Sequence, residues 1–313
     1  MKLSPVFGQP SWRLKSDSVQ LALTQTGGHL GPVTFKLGGK FVQPFHVAPW
    51  HGEKRTLAGL PPILQALRGD FFCMPFGGNE KPYGRERHPV HGETANREWT
   101  LESATDTSLR ASLRTEVRSG RVLKEIFLRP GQTALYVRHQ LEGFRGPMSF
   151  GHHAMLKFAT EAHLSTSPFV YGQVFPGQFE NPARGGYSSL RAGVVFKSLR
   201  RVPLAAGGFA DLSRYPAREG FEDLVMVCAG PRQPLAWTAA AFPREGFVWF
   251  ALKDPRVLAS TVFWHSNGGR HYAPWNGRHR GVLGLEEVTS YFHTGLAESA
   301  APNPVSARGI PTS

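Results

Sequence analysis

Short runs in which apolar and polar residues alternate dominate this chain, and glycine- and proline-rich turns separate them. In SVQLALTQ the residues Val19, Leu21 and Leu23 share one face of an extended strand, and in PVTFKLGGKF Val33, Phe35 and Leu37 do the same, with TGGHLG as the turn between. TSLRASLRTEV alternates most cleanly, with Leu109, Ala111, Leu113, Thr115 and Val117 set against Ser108, Arg110, Ser112, Arg114 and Glu116. That is the pattern of an antiparallel strand with one wet face. RVLKEIFL and ALYVRHQLEG flank RPGQT, whose Pro-Gly pair suits a tight turn, so a hairpin is predicted there. AGVVFKSL, DLVMVCAG, LAWTAAAF, GFVWFAL and STVFWHS are short, rich in β-branched or aromatic residues and bounded by turn residues, which predicts buried strands. Only PPILQALRG, residues 61–69, resembles a helix, with proline at its start and glycine at its end.

The pattern predicts an all-β protein, a large antiparallel sandwich with few short helices. Among 313 residues there are 35 Gly and 25 Pro, and 41% are hydrophobic, enough for a sizeable core. No compositional break divides the chain, so residues 1–313 are expected to form a single domain, with a surface-wrapping or frayed tail at about 298–313. The irregular stretches 38–100 and 160–190 exceed simple hairpin turns, and long loops on a rigid sheet are where binding residues tend to sit.

Charge narrows the partners. The formal net charge is +13, yet the cations are scattered: SLRR at 198–201 and GRHR at 277–280 are the densest clusters, shorter than the runs of basic arms. Nucleic acid is therefore discounted as a partner, and the charge reads as a solubilising surface biased toward acidic ligands. No window reaches the roughly 18 apolar residues of a spanning helix, and the N-terminus has no signal-like apolar stretch, so no membrane partner and a cytoplasmic location are expected. Cys73 and Cys228 each lie in an apolar run and read as buried, reduced thiols. Oligomeric state stays open at this level.

The chain has no phosphate-binding loop, dinucleotide fingerprint, nucleophile elbow or HExxH pair. Chemistry rests instead on histidines and carboxylates. RHPVHGETANREW carries His88, His91, Glu93, Asn96 and Trp99; SFGHHAMLKF carries His152 and His153; GVLGLEEVTSYF places Glu286 and Glu287 inside an apolar strand. A carboxylate is costly to bury without a partner, and strand alternation sends the two glutamates to opposite faces. One can enter a cleft while the other faces away, and Glu287 is expected to point outward. Adjacent histidines cannot place both rings on one strand face and no HxH or HxxxH spacing occurs nearby, so a metal site is not expected.

In order along the chain, GGHLGPVTF (27–35), RGDFFCMPFGGN (68–79), HGETANREW (91–99), GHHAMLKF (151–158), FADLSRYP (209–216) and LGLEEVT (283–289) resemble segments of the aldose 1-epimerase, or galactose mutarotase-like, superfamily. The resemblance implies a β-supersandwich and a divergent member, because Glu287 stands where the family's LEP-x-T pattern has proline and the family's asparagine-arginine pair is unmatched. It implies Glu286 as general base, His153 as general acid and His91 as a supporting histidine. Asn79, Arg85, Trp99, His152, Asp211, Trp275 and Arg278 are then expected to bind substrate.

Anomer exchange of a monosaccharide, free or charged, would follow. A carboxylate removes the proton of the anomeric hydroxyl while an imidazolium on the other side of the ring protonates the ring oxygen, and no cofactor is needed. The competing class is a non-catalytic carbohydrate-binding or sensing protein on the same fold. A two-carboxylate glycosidase lacks a convincing second carboxylate.

Overall fold

Every strand ladder among the described residues is antiparallel, as the alternating pattern requires. The structure is a computed structural model that describes residues 1–230 and 232–313. It forms two compact units, Met1–His152 with His293–Ala300, and His153–Phe292 with Ala301–Ser313.

In the first unit, β1 (Ser4–Val6), β2 (Gln9–Lys15), β3 (Val19–Thr24), β4 (Leu30–Leu37) and β5 (Lys40–Val42) form a meander in sequence order. A short strand β6 (Phe72–Cys73) follows, then a second meander of β7 (Thr100–Ala104), β8 (Ser108–Thr115), β9 (Gly120–Leu128) and β10 (Leu135–Glu142). Strand β11 (Phe150–His152) pairs with β6. The alternation of β8 is realised: Leu109, Ala111, Leu113 and Thr115 are buried and the residues between them are not. The predicted helix shrinks to one turn, α2 (Pro62–Gln65), preceded by α1 (Lys54–Ala58). It stops because Gly69 turns the chain at φ +53, where a Cβ would meet the Leu30 carbonyl oxygen at 1.6 Å, and because Arg68 dives inward. The Arg68 guanidinium is fully buried and donates to the carbonyls of Val6, Phe7 and Ala66. Helix α3 (Leu296–Ala300) also belongs to this unit.

The second unit has two sheets and a small hairpin. Its strands are β12 (Ala154–Lys157), β13 (Ala162–Thr166), β14 (Phe169–Val174), β15 (Val195–Phe196), β16 (Val202–Pro203), β17 (Phe209–Ala210), β18 (Arg214–Tyr215), β19 (Phe221–Ala229), β20 (Ala236–Phe242), β21 (Phe247–Lys253), β22 (Ser260–Asn267) and β23 (Val282–Thr289). Among the described residues one sheet runs β15-β14-β19-β22-β23-β12, the other β18-β13-β20-β21, and β16 pairs with β17. Of AGVVFKSL only Val195–Phe196 is strand. Residues 301–313 are tied in by Asn303, whose side chain accepts from the amides of Val305 and Ser306, with Val305 and Ile310 buried.

One expected buried strand is overturned. In β21 the outward residues Val248, Phe250 and Leu252 are 57%, 56% and 58% exposed, because β21 is the last strand of its sheet and they project from the sheet's outer face.

Register sorts the polar residues of the larger sheet. Glu222 lies opposite Ser266, Trp264 opposite Gly284, and Val262 opposite Glu286. Directly opposed residues share a face, so Glu222, Ser266, Trp264 and Glu286 stand on one side. Asp223, Thr261, His265 and Glu287 stand on the other.

Candidate active site

Glu286 sits in the middle of β23 and is 2% exposed. Leu285 pairs with Ala154, so one step along the ladder His153 comes opposite Glu286. The His153 Nε2 is 3.3 Å from the Glu286 Oε1. Gly284 makes room for this carboxylate: a Cβ there would stand 2.4 Å from Oε1. The two groups expected on opposite sides of a sugar ring are thus side by side. Burial pushes the Glu286 carboxyl well above the usual carboxylate range, with Arg270 pulling the other way.

Around the pair lies an aromatic and charged cluster built from the loop NGGRHYAPWNGRHR. Trp264 is edge-on to His153 at 5.7 Å, and its other neighbours are His279, stacked at 5.2 Å, and Trp275, edge-on at 5.8 Å. The Arg270 guanidinium lies 5.1 Å from the Trp264 ring and 4.7 Å from the Trp275 ring, and it donates to Glu180 at 2.6 Å, which also accepts from the Tyr272 hydroxyl. Glu222 accepts from the Trp264 indole N–H, the Ser266 hydroxyl and the Gly269 amide. Ser266 in turn meets His279 Nδ1 at 2.6 Å.

Burial raises the Glu222 carboxyl to about 7, against Arg270 and the Ser266 and Trp264 donors. The folded protein therefore holds this proton between about 4.5 and 7, where the unfolded chain releases it. The stabilising contribution is full below 4.5 and is lost as pH rises to 7. Glu222→Gln should remove up to about 3 kcal/mol of the stability difference across that window, read from urea unfolding on either side of it. An unchanged pH slope would count against the assignment.

Glu287, expected to face outward, is buried as well. It accepts from Thr238 and Thr261, each at 2.7 Å, and forms an ion pair with Lys253, which also donates to the Ser260 carbonyl. A cation, and not solvent, answers the second carboxylate.

The remaining expected site residues are dispersed. Trp275 is in the cluster. Arg278 is exposed and donates back to the Pro274 carbonyl of its own loop, while Arg270 lies over the Trp264 and Trp275 rings. Asp211 is exposed and caps its own turn through the Ser213 amide and hydroxyl. In both, the side chain bonds a partner within its own loop.

In the first unit, His91 (φ +57) donates its amide to the Gly77 carbonyl, takes the Gly77 amide on Nδ1 at 3.3 Å and packs edge-on to Phe76. Asn79 donates to the carbonyls of Pro75, Gly77 and Pro89 and accepts from the Leu296 amide, which makes it a loop brace. Trp99 is 1% exposed, its N–H on the Thr94 carbonyl and the buried Lys124 ammonium 4.8 Å from its ring, so it offers no face to a sugar. Arg85 is exposed and has no hydrogen bond or ion pair among the described residues. His152 Nδ1 meets Asp70 at 2.8 Å, leaving the ring one-fifth exposed. The turn that presents His91 depends on Gly92 (φ +75), where a Cβ would come 1.9 Å from the Met74 carbonyl oxygen. Gly92→Ala should cost about 2 kcal/mol or more, visible as a lowered urea midpoint; a neutral result would mean the turn relaxes freely.

Sequence reasoning missed Arg270, Glu180 and Glu222. The last was signalled: FEDLVMVC sets adjacent carboxylates at the start of an apolar strand, the same pattern as Glu286–Glu287. Glu180 and Arg270 are 90 residues apart and nothing local pairs them.

Comparison with solved structures agrees with the architecture. A candidate aldose 1-epimerase from Klebsiella pneumoniae subsp. pneumoniae matches with a TM-score of 0.61 at 14% identity, covering 93% of this chain and 74% of that one. One from Escherichia coli K12 gives 0.59 at 15% identity over 91% and 90%, and a galactose mutarotase related enzyme from Lactobacillus acidophilus gives 0.55 at 11% over 89% and 85%. No family model and no curated protein matches the chain. The chain has the galactose mutarotase-like fold.

Proposed function

We propose that this protein binds a monosaccharide and interconverts its anomers by acid/base ring opening, with Glu286 as base and His153 as acid. The observation that carries the reading is the 3.3 Å contact between His153 Nε2 and Glu286 Oε1 on one sheet face, beside an arginine and two tryptophans. The anomeric hydroxyl oxygen and the ring oxygen are bonded to the same carbon, so adjacent groups suit them better than opposed ones. In the reactive state Glu286 is ionised and His153 carries the proton on Nε2. The carboxylate takes the proton of the anomeric hydroxyl as Nε2–H gives its proton to the ring oxygen, the C1–O5 bond breaks and an aldehyde forms. Rotation about C1–C2 and the reverse transfers close the ring on its other face.

The raised affinity of Glu286 for a proton fits this chemistry. One proton shared between carboxyl and imidazole can sit on either partner, and a carboxylate whose proton affinity is raised by burial is a stronger base for this transfer than an ordinary one. Arg270 favours the ionised form of Glu286. Its side chain is largely desolvated between aromatic rings, where its charge acts more strongly than in water.

The same structural neighbours and the same site also admit sugar binding without turnover. One observation favours that second reading: the two side chains are only 7% and 3% exposed, a closed resting arrangement. Polarimetry or saturation-transfer NMR of anomer exchange across a panel of neutral, acidic and phosphorylated aldoses separates the two. Exchange faster than buffer supports catalysis; saturable binding with exchange no faster than buffer supports the binding protein and sinks the enzymatic reading.

A further inference from the structure

A pocket of about 410 Å³ opens at the strand ends of the second unit. One wall is the turn after β18, with Pro216, Arg218 and Glu219, and the other is Arg280 with Gly281 at the entry to β23. Phe158, which follows β12, and Asn267, the last residue of β22, lie between them. Asn267 ties the walls together: its side chain donates to the Ala217 carbonyl and accepts from the Gly281 amide, and its own carbonyl accepts from the Gly220 amide. Gly281 (φ +59) lets the chain pass close to β12, since a Cβ there would come 2.5 Å from the Phe158 carbonyl oxygen. Asn267 is one residue beyond Ser266, so its side chain faces away from the side of the sheet that carries Trp264 and Glu286.

The charges on this lining are two arginines and one glutamate. Arg218 is positioned by a buried neighbour: its Nε donates to Asp223 at 3.3 Å, and Asp223 also accepts from the Ser189 amide and hydroxyl and from the Leu190 amide. The Arg218 backbone is held at φ +52, a conformation that costs a non-glycine residue energy, and its side chain is 15% exposed. Neither of its Nη atoms donates to an acceptor among the described residues, which leaves the forked end of a guanidinium held in place and open to an oxyanion. Arg280 donates from Nε to the Gly277 carbonyl and from Nη1 to Glu219 at 2.6 Å. That ion pair is exposed on both sides, 57% and 69%, so it is weak and a ligand can displace Glu219 from it.

We propose that this pocket binds a small organic oxyanion, a phosphate or carboxylate group carried on an apolar body. The oxyanion accepts from both Nη atoms of Arg218 and from Arg280, which exchanges Glu219 for the ligand, and the apolar body lies against Phe158 and Pro216. The volume fits such a molecule, falling within the usual range for small-molecule sites. Phosphate and carboxylate share the two-oxygen edge that a guanidinium fork recognises, so the shared chemistry is assigned and the probe decides between them. The site is separate from the Glu286–His153 pair and does not depend on the reading of that pair as catalytic.

Amide NMR shifts of residues 217–220 and 280–281, followed at constant ionic strength, read the binding. The probes are phenyl phosphate and benzoate, with benzyl alcohol as the uncharged control, each titrated to about 10 mM. At least one anion should saturate these amides, and the tighter of the two names the preferred group; benzyl alcohol should leave them unmoved. Arg280→Gln should weaken binding about tenfold, the loss of a charge-assisted hydrogen bond. Glu219→Gln should strengthen it about threefold, because the competing carboxylate is gone. Both residues are exposed, so the fold is retained in each variant, and matching circular dichroism spectra verify that. The two substitutions break the same ion pair, so a purely structural role would move both affinities in one direction. Saturation by neither anion overturns the proposal, and so does saturation by benzyl alcohol at the same concentration or an affinity that both variants leave unchanged.

Discussion

Glu286→Gln should lower the acceleration of anomer exchange by a factor of about 10² to 10⁴, the usual range for losing a positioned general base, while leaving the folded protein at least as stable as wild type. The two halves of this expectation come from one fact. A carboxyl pushed well above its normal range by burial gives its full contribution below the unfolded value of 4.5, and that contribution is lost as pH rises through the folded value. At neutral pH the glutamate is therefore a net burden on folding, and a neutral amide of the same shape removes it. A residue kept for structure would show the opposite: stability lost and no specific effect on rate. The pair should also give a bell-shaped rate profile, since exchange needs one shared proton and fails with two or none. His153→Gln should remove the same bell with a comparable loss. Exchange in Glu286→Gln equal to wild type would end the assignment, whatever the stability.

Lys253→Met should destabilise the protein by about 3–5 kcal/mol, the cost of leaving a buried charge without its partner. Lys253 lies behind the candidate site, on the opposite face of the same sheet, where it meets Glu287, the Ser260 carbonyl and the Thr261 hydroxyl. Burial pulls the lysine's proton affinity below its ordinary value, with Glu287 opposing. Its removal strands a carboxylate that retains only two threonine donors. The double substitution Lys253→Met with Glu287→Leu should recover most of the loss, because a packed apolar pair is often as stable as a buried ion pair. Urea unfolding of the two singles and the double measures the coupling; purely additive losses would show that the pair does not act as a unit. This ion pair faces away from the candidate site, so the double variant should retain whatever activity the wild type has.

The strands were legible wherever one face is wet. Leu109 to Thr115 alternate because β8 has one buried and one solvated face, and the hairpin at RPGQT appears as the pattern demands. β21 misled for the converse reason. An apolar, aromatic segment reads as buried unless something marks an edge, and Val248, Phe250 and Leu252 carry no such mark. Along the site strand, alternation placed Glu286 and Glu287 on opposite faces, but it could not say that a lysine 34 residues earlier would meet the second one.

By itself, the sequence determined an antiparallel all-β chain, the residues that face inward along its clean strands and the split of the two adjacent glutamates. Those features are local: period-two alternation and turn chemistry act over a few residues. Only the tertiary structure decided that His153 stands opposite Glu286, that Arg270, Glu180 and Glu222 gather around Trp264, and that Trp99 is sealed beneath Lys124. Each is a meeting of residues far apart in the chain, brought together by ladder register and by the need to satisfy every buried charge and hydrogen-bonding group. The basic loop that precedes β23 shows the division plainly. Its composition suggested a border of cations for a ligand, and the fold turned Arg278 back on the loop and sent Arg270 between two tryptophans.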